Sequence, residues 1–187
     1  MGEDEVQLNS YKKTKVILTG YRATGKSSVG RILASMLDWR FIDTDFEIEK
    51  RQGFSISRIV AKKGWKFFRE QEKKILTELA EREQVVIATG GGAIMHQQIW
   101  NRLMKNGLVV WLTADPQVIC QRLAADPVTE GQRPSLTSSD ILTEVESVLQ
   151  EREPLYRAGS HLKIDSSCSV VEITEEIMAF LGRINRN

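Results

Sequence analysis

The residues best placed to do chemistry are Gly20-Tyr21-Arg22-Ala23-Thr24-Gly25-Lys26-Ser27, which fit G-x-x-x-x-G-K-[ST] directly after the apolar run Val16-Ile17-Leu18. A loop of this kind lines backbone N–H groups against phosphate oxygens, and the helix behind it adds the positive end of its dipole. Gly20 and Gly25 permit the backbone angles required, Lys26 would reach the β- and γ-phosphates, and Ser27 would hold Mg²⁺. The plainer alternative is a glycine-rich turn between strand and helix. The helical pattern that follows (Val29, Ile32, Leu33, Met36, Leu37) puts the motif in the setting phosphate binding needs.

A second candidate is Asp43-Thr44-Asp45 at the end of Phe41-Ile42. Residues two apart in an extended segment project to one side, so both carboxylates are expected to face one pocket. Close carboxylates repel, and a cation between them keeps both ionised. The competing reading is helix capping by Thr44 with Asp45 and Glu47 behind it. The strand at 85–89 ends in Gly90-Gly91-Gly92 with no Asp, which leaves Asp43 as the nearest metal-side carboxylate.

Phe67-Phe68-Arg69-Glu70-Gln71-Glu72 places Arg69 and Glu72 three apart on a helix, where the carboxylate orients the guanidinium. An aimed guanidinium is a fork for a carboxylate ligand; the alternative is a solvated surface pair of small worth. Three successive glycines, Gly90 to Gly92, cost backbone entropy and let a ligand approach N–H groups unobstructed by Cβ atoms. Late in the chain, Gln132-Arg133-Pro134 lies in a Gly-, Pro- and Ser-containing stretch that reads as a lid, from which Arg133 would neutralise charge on a transferring phosphoryl group. Arg152 lies in Glu151-Arg152-Glu153-Pro154-Leu155-Tyr156; each arginine taken alone reads equally as a surface residue.

The elements that must position these residues alternate in type. Strands are predicted at 15–19, 40–43, 85–89, 108–112 and 161–165, and helices at about 26–37, 45–52, 55–62, 65–82, 95–105, 115–124, 138–152 and 170–184. Val85-Val86-Ile87-Ala88 and Leu108-Val109-Val110-Trp111-Leu112 are apolar on successive residues, as in strands covered on both faces. This is an α/β pattern with a parallel sheet, and ligands then gather beyond the carboxyl ends of its strands. The 187 residues, 41% apolar and 27% charged, suffice for one core, and residues 1 to about 13 read as a flexible polar tail.

A net charge of +1 argues against a dedicated nucleic-acid binder. No apolar run is long enough for a membrane span, and the acidic start is no secretory signal. Cys120 and Cys168 lack C-x-x-C spacing and read as reduced thiols in a cytoplasmic protein. His96 and His161 lack metal-ligand spacing and read as structural or exposed. The four tryptophans read as packing residues, and Trp65, two residues before Phe67, is also a candidate to lie near an acceptor.

In order over residues 20–156, G-x-x-x-x-G-K-S, D-T-D, F-R-x-x-E, G-G-G, R-P-x-L and E-R-x-P-x-Y make the chain resemble the shikimate kinase family. The loop alone names a superfamily; F-R-x-x-E followed by G-G-G and E-R-x-P-x-Y carries the resemblance to this family. It implies a three-layer P-loop kinase fold, with a five-stranded parallel sheet flanked by helices and a mobile lid at about 122–138 in one domain over 14–187. The implied reaction is transfer of the ATP γ-phosphoryl group to the 3-hydroxyl of shikimate, in aromatic amino acid biosynthesis, by a cytoplasmic monomer.

The resemblance also implies residue roles. Gly20, Ala23, Thr24, Gly25, Lys26, Ser27 and Ser28 bind ATP, with Arg122 beside the adenine and Arg133 closing from the lid. Ser27 ligates Mg²⁺ and Asp43 supports it through water. Asp45 holds the substrate hydroxyls and accepts the proton, Arg69 and Arg152 clamp the carboxylate, and Gly90, Gly91 and Gly92 line the acceptor, Gly91 through its N–H. Lys26, Asp45 and Arg133 form the catalytic set. The chain departs from the family pattern at Gly64-Trp65, where Gly-Glu is frequent, at Ala23, where glycine is frequent, in a longer lid, and in Asp165-Ser166-Ser167-Cys168, which offers no arginine to adenine. Two other readings remain: a gluconate-type or nucleotide kinase, and a non-catalytic nucleotide-binding paralogue.

Overall fold

A computed structural model describes residues 13–125 and 140–186. In chain order the elements are β1 (Lys15–Thr19), α1 (Lys26–Leu37), β2 (Arg40–Asp43), α2 (Thr44–Gln52), α3 (Ile56–Ala80), β3 (Val85–Ala88), a 3-10 turn (Ala93–Met95), α4 (Gln97–Asn106), β4 (Gly107–Thr113), α5 (Pro116–Ala125), α6 (Ile141–Ala158), β5 (Leu162–Asp165) and α7 (Val170–Ile184). The five strands form one parallel sheet in the order β2-β3-β1-β4-β5, with Ile17 of β1 level with Ile87 of β3 and Val109 of β4.

The continuous apolar runs are explained by burial on both faces. On one face Ile17, Ile87 and Val109 pack with Ile75, Leu76 and Leu79 of α3 and Trp100 of α4. On the other, Val16, Leu18, Val86 and Val110 pack with Val29 and Leu33 of α1 and Ile173 and Ile177 of α7. Alternate residues of each central strand thus feed two cores, and the strands have no polar face to offer. Lys15 is buried at the start of β1, where its ammonium donates to the carbonyls of Leu79 and Ala80 and closes the C-terminus of α3.

Two expectations need amendment. The helices expected at 55–62 and 65–82 run on as α3, broken only by Gly64 at φ 78° and ψ 166°, which turns the chain so that Trp65 begins a new helical axis. The helix expected to stop at 152 continues through Pro154 to Ala158. The ring removes one backbone donor, but the buried Val145, Val148, Arg152 and Tyr156 anchor the helix on both sides of it. Residues 1–12 of the tail expected at 1 to about 13, and most of the proposed lid, including Arg133, lie outside the described residues; Lys13 is described and buried, its ammonium donating to the carbonyls of Met104 and Lys105, and Arg122 to Ala125 belong to α5.

Candidate active site

The carboxyl ends of β1, β2 and β3 lie side by side, and the first three motifs emerge there. The phosphate loop leaves β1, and its backbone carries the conformations its composition implied: Gly20 at φ 133° and Gly25 at φ 82°, the latter as the N-cap of α1. Ala23 adopts φ 62°, a left-handed conformation that glycine takes without strain and alanine does not. Thr24 Oγ1 donates to the Tyr21 carbonyl at 2.8 Å, and Lys26 Nζ crosses the loop to the same carbonyl at 2.5 Å. The first turn of α1 carries no acidic residue, so its N–H groups face the cleft with their dipole uncancelled.

Asp43 serves both roles that its sequence left open. Its Oδ1 caps α2, accepting from the N–H groups of Asp45 at 3.0 Å and Phe46 at 3.3 Å, while Oδ2 accepts from Ser27 Oγ at 2.5 Å. The cap is therefore Asp43 and not Thr44. The geometric reason expected for pairing Asp43 with Asp45 does not hold either, because β2 ends at Asp43 and Asp45 already lies in the first turn of α2. Both carboxylates nonetheless reach one cleft of about 470 Å³, which Gly25, Lys26, Ser27, Ser28 and Arg122 also line.

A hydroxyl and a carboxylate held together at a phosphate loop are hard oxygen donors that fit Mg²⁺, which keeps several waters and takes its remaining ligands from phosphate. Among the described residues no group of three His, Cys, Asp or Glu side chains forms a metal cage, and a magnesium site of this kind needs none. Arg122 spans the cleft's far side: it donates to the Ala23 carbonyl at 3.2 Å, to Ser166 Oγ at 3.1 Å and to the Ser166 carbonyl at 2.7 Å. The segment after β5, which had no assignment, is tied to the phosphate loop through this arginine.

A second, adjoining pocket is lined by Tyr21, Arg22, Asp45, Trp65, Phe68, Arg69, Glu72, Gly90 to Gly92 and Arg152. Arg69 donates to Glu72 Oε2 at 2.6 Å, and Glu72 is fully buried. That burial excludes the solvated-pair reading: a carboxylate without solvent is costly unless paired, and it holds its partner firmly. Trp65 and Phe68, in edge contact with each other, place their rings within 5.6 Å and 5.2 Å of the guanidinium. Arg152 comes from α6, is nearly buried, and donates to the Gly91 carbonyl at 3.3 Å; its Nε has no partner among the described residues.

The three glycines divide their work differently from expectation. The Gly90 N–H donates to Thr44 Oγ1 at 3.0 Å and is not offered to a ligand. What Gly90 supplies is room, since a Cβ there would stand 2.7 Å from Glu72 Oε1 and 2.8 Å from Asp45 Oδ1. A Cβ on Gly92 would stand 2.3 Å from the Arg69 guanidinium. The carbonyl of Gly91 accepts from Tyr156 at 2.5 Å, and burial pushes this phenol up to about 12, so it remains a donor.

Sequence reasoning gave no role to Arg22, Tyr156, Ser166 or His96. Tyr156 was legible in principle as the residue one helical turn after Arg152. Arg22, a variable position of the phosphate motif, lines both clefts and pairs with buried Glu144 of α6 at 3.0 Å. His96 places Nε2 3.0 Å from Glu72 Oε2.

The two clefts share Arg22 and Asp45, so molecules held in them would meet at one boundary. The fold and this junction define a phosphotransferase of the P-loop kinase class. The shikimate kinase family profile matches residues 22–182. The shikimate kinase of Nitratidesulfovibrio vulgaris is 42% identical over 168 residues, covering 90% of this chain and 95% of its own; that of Rhodopirellula baltica is 42% identical over 179 residues, covering 95% and 93%. The crystallised shikimate kinase of Acinetobacter baumannii, in complex with shikimate, superposes with a TM-score of 0.82 at 32% identity, over 90% of this chain and 92% of that one. The chain belongs to the shikimate kinase family. Among the described residues no helix is long and apolar enough to cross a membrane.

Proposed function

We propose that the two clefts carry out transfer of the ATP γ-phosphoryl group to the 3-hydroxyl of shikimate, with Lys26 and Ser27 on the donor side and Arg69, Arg152 and Asp45 on the acceptor side. Family membership makes this chain an ATP- and Mg²⁺-dependent kinase acting on shikimate, in aromatic amino acid biosynthesis. The observation that carries the assignment of roles is the polarity of the acceptor pocket: two arginines from different helices at one end, and Asp45 at the boundary with the phosphate loop.

Each role follows from what the side chain can do. Arg69, held flat by Glu72 and backed by two rings, presents its remaining N–H groups as a fork to a carboxylate, and Arg152 supplies a second cation, so a hydroxylated acid enters in one orientation. Asp45 then receives the hydroxyl that attacks. In a loose transition state that hydroxyl loses its proton late, so an ordinary carboxylate suffices to orient it and take the proton. The ammonium of Lys26 neutralises charge on the transferring group, as does Arg133 from the segment before α6. Ser27 and Asp43 would hold Mg²⁺, which when bound neutralises phosphate charge and draws the donor into a fixed pose.

The reading extends to a monomer acting on a small molecule, and to the cytoplasm, where free thiols such as Cys120 and Cys168 stay reduced. It is tested by ADP release from MgATP with and without shikimate, with gluconate and nucleoside monophosphates as controls. Shikimate-dependent turnover that is lost at low shikimate in Arg69→Ala and returns only at much higher concentration supports both reaction and pocket. Turnover on gluconate alone would overturn the acceptor assignment.

A further inference from the structure

Glu72 Oε2 accepts two donors that approach from different elements. One is Arg69 Nη1, three residues earlier on α3; the other is His96 Nε2, at the junction of the 3-10 turn and α4. A carboxylate only accepts, so the imidazole donates through Nε2. Both donors are shielded, with 23% of the Arg69 side chain and 15% of the His96 side chain exposed.

The Arg69–Glu72 pair alone does not determine where the guanidinium lies. Both side chains, and the Trp65 and Phe68 rings that back Arg69, belong to one helix, so their mutual contacts fix each to the others but not the group to the far wall of the pocket. A donor on a separate backbone supplies that link. His96 has such a backbone, and it is continuous with the glycine turn: Ala93 N–H donates to the Gly90 carbonyl, Met95 to Gly92 and His96 to Ala93. Gly92 backs the Arg69 guanidinium at one end of this turn, and His96 fastens Glu72 at the other.

We infer that His96 is a positioning residue for the acceptor clamp: it anchors Glu72 to the glycine turn and thereby aims Arg69 at the substrate carboxylate. The inference rests on the reading of Arg69 as that clamp. It assigns His96 to acceptor affinity and not to phosphoryl transfer, because His96 lines neither cleft and meets Glu72 at the oxygen that also holds Arg69.

Steady-state kinetics of His96→Leu, His96→Gln and Arg69→Ala test it. His96→Leu keeps the backbone carbonyl that accepts from Ile99 and Trp100 and begins α4, so the fold is not the variable. The expected result is a rise in shikimate KM of ~5–10-fold in His96→Leu, with kcat and ATP KM within ~2-fold of wild type. His96→Gln, whose amide nitrogen reaches Glu72 from a similar position, recovers most of the affinity. With the carboxamide of shikimate as acceptor, which offers the clamp no carboxylate, wild type and His96→Leu converge. An unchanged shikimate KM in His96→Leu, alongside a large rise in Arg69→Ala, overturns the inference and leaves the clamp standing. A parallel loss of kcat and both affinities in His96→Leu, not rescued by Gln, also overturns it by making His96 a structural residue. An unchanged KM in Arg69→Ala removes the clamp itself and the inference with it.

Discussion

The donor side and the acceptor side of this site are built by opposite means. Of the groups we propose for the donor side, most occupy residues 20–28, and the bonds that shape that loop join residues two to five apart, with Asp43 and Arg122 added from 16 residues (Ser27 to Asp43) and 99 residues (Ala23 to Arg122) away. On the acceptor side the defining contacts cross separations of 24 residues (Glu72 to His96), 46 (Thr44 to Gly90), 61 (Gly91 to Arg152) and 65 (Gly91 to Tyr156). Phosphate is the same in every nucleotide and is read by backbone N–H groups, which a short local motif can arrange. A particular acid is read by side chains from several directions, which only a fold can bring together.

The contrast breaks first at Lys26. Lys26→Met is expected to lower kcat by ~10³-fold, with the fold intact by circular dichroism and shikimate still bound, because charge neutralisation at the transferring group is lost. A residual rate near wild type would mean that the donor side does not depend on its lysine. Acidification acts instead on the frame both sides share. His161 accepts the Val109 N–H on Nδ1 at 3.0 Å, and burial, with Lys13 nearby, pushes it down from 6.5 to about 4. The folded state therefore binds the proton less well than the unfolded one. The stability this contributes is complete above about pH 6.5 and is lost as the pH falls towards 4, by on the order of 3 kcal/mol. Urea melts at pH 7 and pH 4 should show a smaller drop in His161→Gln than in wild type.

Arg152→Ala is expected to raise the shikimate KM by ~10²-fold with a smaller effect on ATP, since the buried cation we propose for the substrate carboxylate is removed. Equal effects on both substrates would erase the distinction between the two sides. Gly92→Ala sharpens it further: the added methyl displaces the Arg69 guanidinium, and a ~10-fold rise in shikimate KM follows with ATP KM unmoved. The smallest effect belongs to Ala23→Gly, which relieves a left-handed alanine and should raise stability by about 0.5–1 kcal/mol, read as a higher urea midpoint. A lower midpoint would show that Ala23 is unstrained.

The same contrast explains what could be read in advance. The five strands and the donor loop were legible because apolar runs and G-x-x-x-x-G-K-S report local backbone states. The expectation that Asp43 and Asp45 share a pocket was right for a wrong reason, since the chain turns into α2 between them. Arg69 and Glu72 were visible as neighbours on a helix, but nothing in their spacing told a buried pair from a solvated one. His96 carried no signal at all. Its partner lies on another element, and a lone histidine has no periodicity to betray it.

By itself the sequence determined the order of elements, the two-faced burial of the central strands, the phosphate loop and its cations, and, through the order of its motifs, the family. These depend on hydrophobic period, on glycine and on residues close along the chain. Only the tertiary structure decided that Glu72 is buried between Arg69 and His96, that Gly90 and Gly92 exist to make room for side chains, that Tyr156 and Arg152 meet at the Gly91 carbonyl, and that Arg122 ties the loop after β5 to the donor cleft. Burial and long-range contact are properties of how the helices pack on the sheet, and no local pattern encodes them.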